Sequence, residues 1–231
     1  MQRSTVLVFD VNETLLDLGS LRPLFTESFG DAGAMTEWFL RLLHGSLVLT
    51  LTGTYEDFGS IAASALRVTA RRRSVELDDD RLAEILGSMR RLPPHPEVRD
   101  ALAHLKEAGF RTAALTNSTL ELANDQLRNA ELVDLFDTVL SVEEVRRYKP
   151  APEPYRMAAE RLGVAIEGVR MVAAHDWDVA GALAAGARGA FVARLGQVYR
   201  EGLARPDIEG NDLREIAARI LTVDHPAEVG R

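Results

Sequence analysis

The sequence predicts an α/β protein with a doubly wound, mostly parallel sheet and an inserted α-helical cap. Residues 5–9 form an uninterrupted run of apolar and β-branched side chains, which is typical of a strand buried on both faces. Residues 18–92 show only helical periodicity, and after the prolines of segment 93–96 strands and helices alternate. Such alternation favours a parallel sheet covered by helices on both faces.

The inserted cap is predicted from three apolar stripes at helical spacing. Because this helical block separates the first strand from the later ones, we expect it to pack over the sheet. We therefore divide the chain into a core of residues 1–16 and 94–231 and a cap of residues 17–93. The stripes are Trp38, Leu42 and Leu43; Phe58, Ile61, Ala62 and Leu66; and Leu82, Ile85, Leu86 and Met89.

The alternating part of the chain supplies the other strands of the predicted sheet. Apolar runs indicate the strands, and amphipathic patterns between them indicate the helices. A last amphipathic helix is predicted near the end of the sequence. The predicted strands are 111–115, 137–140, 169–174 and 189–193, and the predicted helices are 97–108, 119–129, 153–162, 177–186 and 211–221.

Composition excludes several classes of protein. The chain of 231 residues carries a net charge of −8 and shows no basic block, so we expect no nucleic-acid partner. It contains no cysteine, which rules out disulfides and thiol nucleophiles and is compatible with the cytoplasmic location that we predict. No apolar run approaches the roughly 20 residues of a membrane span, so no membrane partner is expected.

Polar side chains follow several of the predicted strands. Because ligands in doubly wound sheets bind at the carboxyl ends of the strands, these side chains should meet at one edge. Only two of the 27 basic residues are lysines, Lys106 and Lys149, so a specific role for Lys149 is favoured. The strand-end candidates are Asp10, Thr116, Asn117, Ser118, Lys149, His175, Asp176, Trp177 and Asp178.

Each candidate taken alone has an ordinary structural explanation. Asp10 is as well explained by capping of a turn as by nucleophilic attack, and Thr116 with Asn117 could simply begin a helix. Lys149 could lie on the surface. One histidine and two aspartates at 175–178 are weak evidence for a metal, so we expect neither metal nor cofactor.

Together and in this order, the four segments resemble the haloacid dehalogenase-like superfamily, and most closely its type II, L-2-haloacid dehalogenase branch. The resemblance implies a Rossmann-like core, a helical cap and an aspartate that forms an ester intermediate. Asp10, Thr14 and Leu15 match the family's first motif. The other matching positions are Thr116 and Asn117 for a Ser-Asn pair, Lys149, Tyr155, and Asp178 after Trp177.

Departures from the family pattern bear on the substrate. Asn12 and Glu13 replace the Tyr-Gly of the first motif, and Ala173 and His175 replace the Ser and Asn of the fourth. In the cap, the family's substrate-holding arginine falls on Phe39, and Arg41 lies two residues later, where a helix would point it elsewhere. A shift in register would be needed to bring Arg41 to the substrate.

The resemblance implies a hydrolase that attacks a small 2-haloalkanoate through Asp10 and gives a 2-hydroxy acid. Lys149 would keep Asp10 ionised and Asp178, with His175 as a second candidate base, would activate water. Thr116 and Asn117 would hold the substrate carboxylate. The full candidate set is Asp10, Thr14, Lys149, His175 and Asp178 for catalysis, and Asn12, Phe39, Arg41, Thr116, Asn117, Tyr155 and Trp177 for substrate binding.

Two alternatives remain open at the level of sequence. A phosphatase acting on an activated phosphate ester is disfavoured, because Asn12 replaces the aspartate that would protonate the leaving oxygen and Ala174 replaces a magnesium ligand. A relative without catalytic activity is the other alternative. The resemblance also implies a homodimer.

Overall fold

A parallel β-sheet forms the centre of the computed structural model, which describes residues 4–194 and 196–226. Its strands follow the spatial order β3-β2-β1-β4-β5-β6, and the short β7 pairs in parallel with the start of β1. The first strand in the sequence is therefore central in the sheet. The strands are β1 (Ser4–Phe9), β2 (Arg111–Thr116), β3 (Thr138–Ser141), β4 (Val169–Ala173), β5 (Arg188–Val192), β6 (Ile208–Gly210) and β7 (His225–Pro226).

Helices fill the connections between the strands. Four of them, α1 to α4, lie in the long connection between β1 and β2, and the rest alternate with the later strands. The four are α1 (Arg22–Phe29), α2 (Gly33–Thr52), α3 (Phe58–Arg72) and α4 (Asp79–Ser88). The others are α5 (Val98–Glu107), α6 (Leu120–Asn129), α7 (Pro152–Leu162), α8 (Asp176–Ala185) and α9 (Leu213–Val223).

The central position of β1 brings its carboxyl end to the middle of one sheet edge. Its residues Val6 to Phe9 are fully buried, as the apolar run predicts. β1 pairs with β2 on one side and with β4 on the other, placing Phe9 beside Ala114 and Val172. The amide of Asp10 then donates to the Val172 carbonyl at 3.0 Å, which ties this residue to the next strand.

Helices α2 and α3 form the main packing pair of the helical insertion. Trp38 is fully buried, and its indole N–H donates to the carbonyl of Ala62 in α3 at 3.0 Å. Its ring lies 5.2 Å from that of Phe25 in α1. The apolar side chains of these helices belong to the same buried cluster as Leu7 and Phe9 of the sheet, so the insertion is packed continuously on the core.

The predicted fold class is confirmed. All ten predicted strands and helices are present with bounds that differ by at most two residues, and segment 18–92 holds helices and no strand. β6 and β7 were not predicted because segments of two or three residues show no periodicity. Within residues 4–194 and 196–226, no helix combines the length and apolar character needed to cross a bilayer.

The segment in which the chain leaves the sheet for the helical insertion lies beside the segment in which it returns. Leu16 and Pro94 form an isolated antiparallel bridge, and the amide of Asp17 donates to the Pro93 carbonyl at 2.8 Å. This paired crossing supports, as our proposal, a cap of residues 17–93 on a core of residues 1–16 and 94–231.

Candidate active site

The carboxylate of Asp10 is fixed from two sides at the end of β1. Its Oδ2 accepts a hydrogen bond from the Thr14 hydroxyl at 2.7 Å, and its Oδ1 accepts one from the Lys149 ammonium at 2.8 Å. Thr14 Oγ1 also accepts from the amide of Ala174, just after β4, at 2.9 Å. Because the hydroxyl is held by that amide, its proton points to Asp10, and the carboxylate has little rotational freedom.

Lys149 is a buried cation with all of its donors used. Its Nζ donates to Asp10 Oδ1, to the Leu115 carbonyl at 3.0 Å and to Asp178 Oδ2 at 2.6 Å. An ammonium group has three protons, so these contacts leave none unpaired. The position of Lys149 in the loop that precedes α7 lets a single charge serve carboxylates that follow two different strands.

Charge pairing decides the protonation state of this cluster. Burial by itself would raise the pKa of Asp10, but the Lys149 charge and the nearby His175 outweigh it and hold that pKa well below its ordinary value. Burial likewise opposes the charge of Lys149, yet Asp10 and Asp178 raise the Lys149 pKa. Asp10 is therefore an ionised carboxylate at neutral pH, as a nucleophile must be.

Asp178 lies behind Lys149 and is fully buried. Its Oδ1 accepts from the Tyr155 hydroxyl at 2.7 Å, while its Oδ2 accepts from Lys149. Burial raises the pKa of Asp178 and Lys149 opposes that rise. Both oxygens of Asp178 are thus held by protein donors. Asp178 is placed to anchor Lys149, and in turn Tyr155 is placed to anchor Asp178.

His175 lies on the other side of Asp10 and is paired with Glu13. Its Nε2 is 2.7 Å from Glu13 Oε2, and its Nδ1 is 3.4 Å from Asp10 Oδ2, without the geometry of a hydrogen bond. Burial would lower the pKa of His175, but contacts with Asp10 and Glu13 outweigh it and raise that pKa to about 10. The imidazole is thus a cation between two carboxylates.

Aromatic side chains enclose the imidazole. The Trp177 ring stacks on His175 with centroids 5.0 Å apart, and the Phe39 ring of α2 lies 6.2 Å from it. These residues line a cavity of about 350 Å³ that also contains Glu13, Arg22, Leu40 and Leu43. A second, mostly apolar cavity of about 210 Å³ reaches Lys149 and Trp177 and shares Leu40 and Leu43. The site therefore offers an apolar pocket that reaches Lys149, the cation that pairs with the ionised Asp10 carboxylate.

Four predicted substrate-binding residues are engaged elsewhere in the structure. Arg41 pairs with Glu37 at 2.9 Å, one helical turn away, and lines a different cavity between α2 and α3, so it is not part of this site. Asn12 is also committed, because its Nδ2 donates to Ser118 Oγ at 3.2 Å and its Oδ1 accepts from Gln126 at 3.0 Å. The other two are Thr116, which is buried and accepts from the Ser118 amide, and Tyr155, described above.

Asn117 has an unpaired donor close to Lys149, and Arg22 brings a cation to the larger cavity. The Oδ1 of Asn117 accepts from the Lys149 amide at 3.0 Å, while its buried Nδ2 has no protein partner. Arg22, at the start of α1, is exposed and lines the cavity of His175. Sequence reasoning missed Arg22 because α1 was not resolved as a separate helix, and it missed Glu13 because its role depends on His175.

No group of three or more potential metal ligands is found in the part of the chain that the structure describes. Asp176 lies at the rim of the larger cavity with His175, and Asp178 faces the opposite way, toward Lys149. Although Asp176 and Asp178 are close in the sequence, their carboxylates therefore do not meet at one site.

Comparison with known proteins places this arrangement in a family. Residues 5–186 match the family described as haloacid dehalogenase-like hydrolase. The chain belongs to the haloacid dehalogenase-like hydrolases. It is similar to the (S)-2-haloacid dehalogenase of Xanthobacter autotrophicus, with 34% identity over 206 residues, 88% of this chain and 79% of that protein. It is also similar to the (S)-2-haloacid dehalogenase of Pseudomonas sp. (strain YL), with 30% identity over 226 residues, 97% of each.

A solved structure of this hydrolase family shows the same fold. The L-2-haloacid dehalogenase of Xanthobacter autotrophicus with chloropropionic acid covalently bound superposes with a TM-score of 0.88 at 28% identity. The match covers 95% of this chain and 98% of that one. The predicted resemblance to the type II branch is thus confirmed.

We predict that Lys149→Met destabilises this hydrolase by about 3–5 kcal/mol at pH 7, because two buried carboxylates lose their shared cation. The pKa of Asp10 is lowered in the folded protein, so its pairing stabilises the fold above about pH 4 and is lost as the pH falls further. In the variant the pKa of both carboxylates rises because the Lys149 charge is gone, so the difference from wild type should shrink toward pH 4. Urea denaturation at both pH values measures this.

The other lysine provides a matched control. Lys106 is partly exposed and pairs with Asp137 at 2.9 Å, so Lys106→Met should cost less than about 1 kcal/mol. Equal losses for the two variants would contradict the role assigned to Lys149.

Proposed function

We propose that this chain is a hydrolase that displaces halide from a small 2-haloalkanoate through an ester on Asp10 and releases a 2-hydroxy acid. The observation that carries the proposal is the ionised Asp10 carboxylate, fixed by Thr14 and by Lys149, which itself lines an apolar pocket. The relatives named above are haloacid dehalogenases, and one of them has been solved with chloropropionic acid covalently bound.

In the first step, an oxygen of Asp10 attacks the carbon that bears the halogen. A carbon–oxygen bond forms, the carbon–halogen bond breaks, and its electron pair leaves with the halide. Halide is a weak base, so the departing group needs no proton. The apolar walls made by Leu40, Leu43 and Trp177 suit a haloalkyl group better than a phosphorylated sugar.

In the second step, water attacks the carbonyl carbon of the Asp10 ester. The bond between that carbon and the substrate oxygen breaks, which releases the 2-hydroxy acid and restores the carboxylate. A base must take a proton from the attacking water. The candidates from the sequence are Asp178 and His175.

Phosphatase chemistry is the less favoured alternative. A leaving alkoxide needs a proton, and the amide of Asn12, which occupies the place of the acid, is held by Ser118 and Gln126. The third alternative, a relative without turnover, predicts an intact fold that releases neither halide nor phosphate.

Asp10→Asn should abolish halide release from 2-chloropropionate and haloacetate, because the amide is not a nucleophile. An ion-selective electrode or ion chromatography measures the halide, and Asp80→Asn, on the exposed start of α4, is the matched control. Retained turnover in Asp10→Asn would refute the ester mechanism. EDTA-sensitive release of p-nitrophenol from its phosphate would favour the phosphatase instead.

Asn117→Asp tests the predicted contact with the substrate carboxylate. The aspartate keeps the oxygen that accepts from the Lys149 amide but loses the free Nδ2 donor and adds a negative charge. Loss of a hydrogen bond to a charged group costs about 1.5–3 kcal/mol, so we expect KM to rise at least about tenfold. Steady-state kinetics with 2-chloropropionate measures this, and an unchanged KM would place the carboxylate elsewhere.

We further propose that the hydrolase acts in the cytoplasm and as a homodimer. An exposed apolar stripe on α2 supports the dimer, and its members Leu40 and Leu51 are 61% and 86% exposed. Leu51→Glu should therefore shift the sedimentation coefficient from that of a dimer toward a monomer. Val198→Glu, at an equally exposed aliphatic position away from α2, should not. A wild-type monomer at micromolar concentration would overturn the dimer proposal.

A further inference from the structure

Glu13 and His175 are two departures from the family pattern that contact each other. They are 162 residues apart in the chain, yet Glu13 Oε2 and His175 Nε2 are separated by only 2.7 Å. The opposite nitrogen of the ring, Nδ1, has no hydrogen-bond partner and faces Asp10 Oδ2 at 3.4 Å. The ring is therefore held at one nitrogen by a carboxylate and presents the other to the nucleophile.

The backbone at Glu13 has a conformation that is strained for a residue with a side chain. Its φ of 61° lies in the left-handed region, where the family motif has glycine and where most side chains are strained. The loop thus retains the left-handed turn while adding a carboxylate that reaches His175. Stacking on Trp177 and the wall formed by Phe39 fix the plane of the imidazole further.

The other candidate base is poorly placed for this task. Both oxygens of Asp178 accept from buried donors, Tyr155 and Lys149, and its side chain is shielded from solvent. Removing a proton from water would require Asp178 to give up one of these contacts. His175, in contrast, lines the cavity together with Glu13.

We propose that His175 is the base that hydrolyses the Asp10 ester and that Glu13 is the residue that positions it. This inference rests on the dehalogenase function proposed above. The arrangement is a nucleophilic carboxylate, an imidazole and a second carboxylate in a row, in which the outer carboxylate fixes the tautomer and orientation of the ring.

The proton balance of the cycle follows from the charges. In the free enzyme the imidazole is a cation, because its pKa is raised to about 10 by Asp10 and Glu13. Formation of the ester removes the Asp10 charge, so the His175 pKa falls and the ring releases its proton to solvent. The free Nδ1 lone pair then faces the ester.

Hydrolysis restores the starting charges. Nδ1 takes one proton from water as the water oxygen bonds to the ester carbon, and the departing alkoxide takes the proton of the new carboxyl group. Asp10 is again a carboxylate and His175 again a cation, so each turnover yields one halide and one proton.

Beyond Asp10 and Glu13, the charged groups around the His175 ring are Lys149 behind Asp10, and Arg22 and Asp176 on the cavity wall.

Glu13→Gln separates the two chemical steps. The variant keeps the size of the side chain and loses its charge, so it should still release about one equivalent of halide per site in a rapid burst. Subsequent turnover should fall at least about tenfold, since positioned base catalysis contributes about 10²–10⁴-fold. Quenched-flow halide measurement and intact-mass detection of the ester on Asp10, with 2-chloropropionate as the substrate, record both steps.

The pH profile distinguishes positioning from a structural role. Loss of the Glu13 charge lowers the pKa of His175 in the ester, so the pH dependence of ester hydrolysis should shift down by about one unit. Glu107→Gln, an exposed glutamate on α5, is the matched control. Glu13→Gly, which suits the left-handed backbone, should fold at least as well as Glu13→Gln and still hydrolyse the ester slowly.

The outcomes are distinguishable. A wild type that releases no halide overturns the proposed function and this inference with it. A wild type that turns over, with Glu13→Gln hydrolysing its ester at the wild-type rate or losing the burst itself, overturns this inference alone.

Discussion

The Lys149 ammonium, shared between the carboxylates of Asp10 and Asp178, is the interaction on which the site depends. Taking a cation and two anions out of water is costly unless every donor is paired, and here each ammonium proton has an acceptor. The same contacts join the end of β1, the end of β2 and the start of α8. A chemical requirement of the site, an ionised nucleophile, is therefore also a structural tie across the sheet edge.

Because Asp178 shares Lys149 with Asp10, its capacity to act as a base is limited. To take a proton from water, Asp178 would have to give up the hydrogen bond that it accepts from Lys149 or the one from Tyr155. The structure places a second titrating group, His175, on the far side of Asp10. In the proposed cycle, Lys149 and His175 together lower the pKa of Asp10 in the free enzyme, and His175 then acts on the water.

The part of this arrangement that topology dictates could be predicted from sequence. Strand-end residues such as Asp10, Lys149 and His175 converge because parallel strands present their carboxyl ends at one edge. The direction of individual side chains could not be predicted. Asn12 is held by Gln126, 114 residues away, and Glu13 contacts His175, 162 residues away. Such contacts depend on neighbours in space that no local pattern identifies.

Three of the departures from the family pattern, Phe39 in the cap and Glu13 and His175 in the core, fit one electrostatic constraint. Phe39 occupies the position of the family's arginine, and its ring lies 6.2 Å from His175. Two cations at about 6 Å repel by about 3 kcal/mol at an effective dielectric constant of about 20. An arginine at this position would therefore oppose the charge that Glu13 and Asp10 stabilise on the imidazole, whereas an aromatic face accommodates a cation. Phe39, His175 and Glu13 are therefore linked. The cap lacks the family's arginine at the place where the core carries the imidazolium of His175.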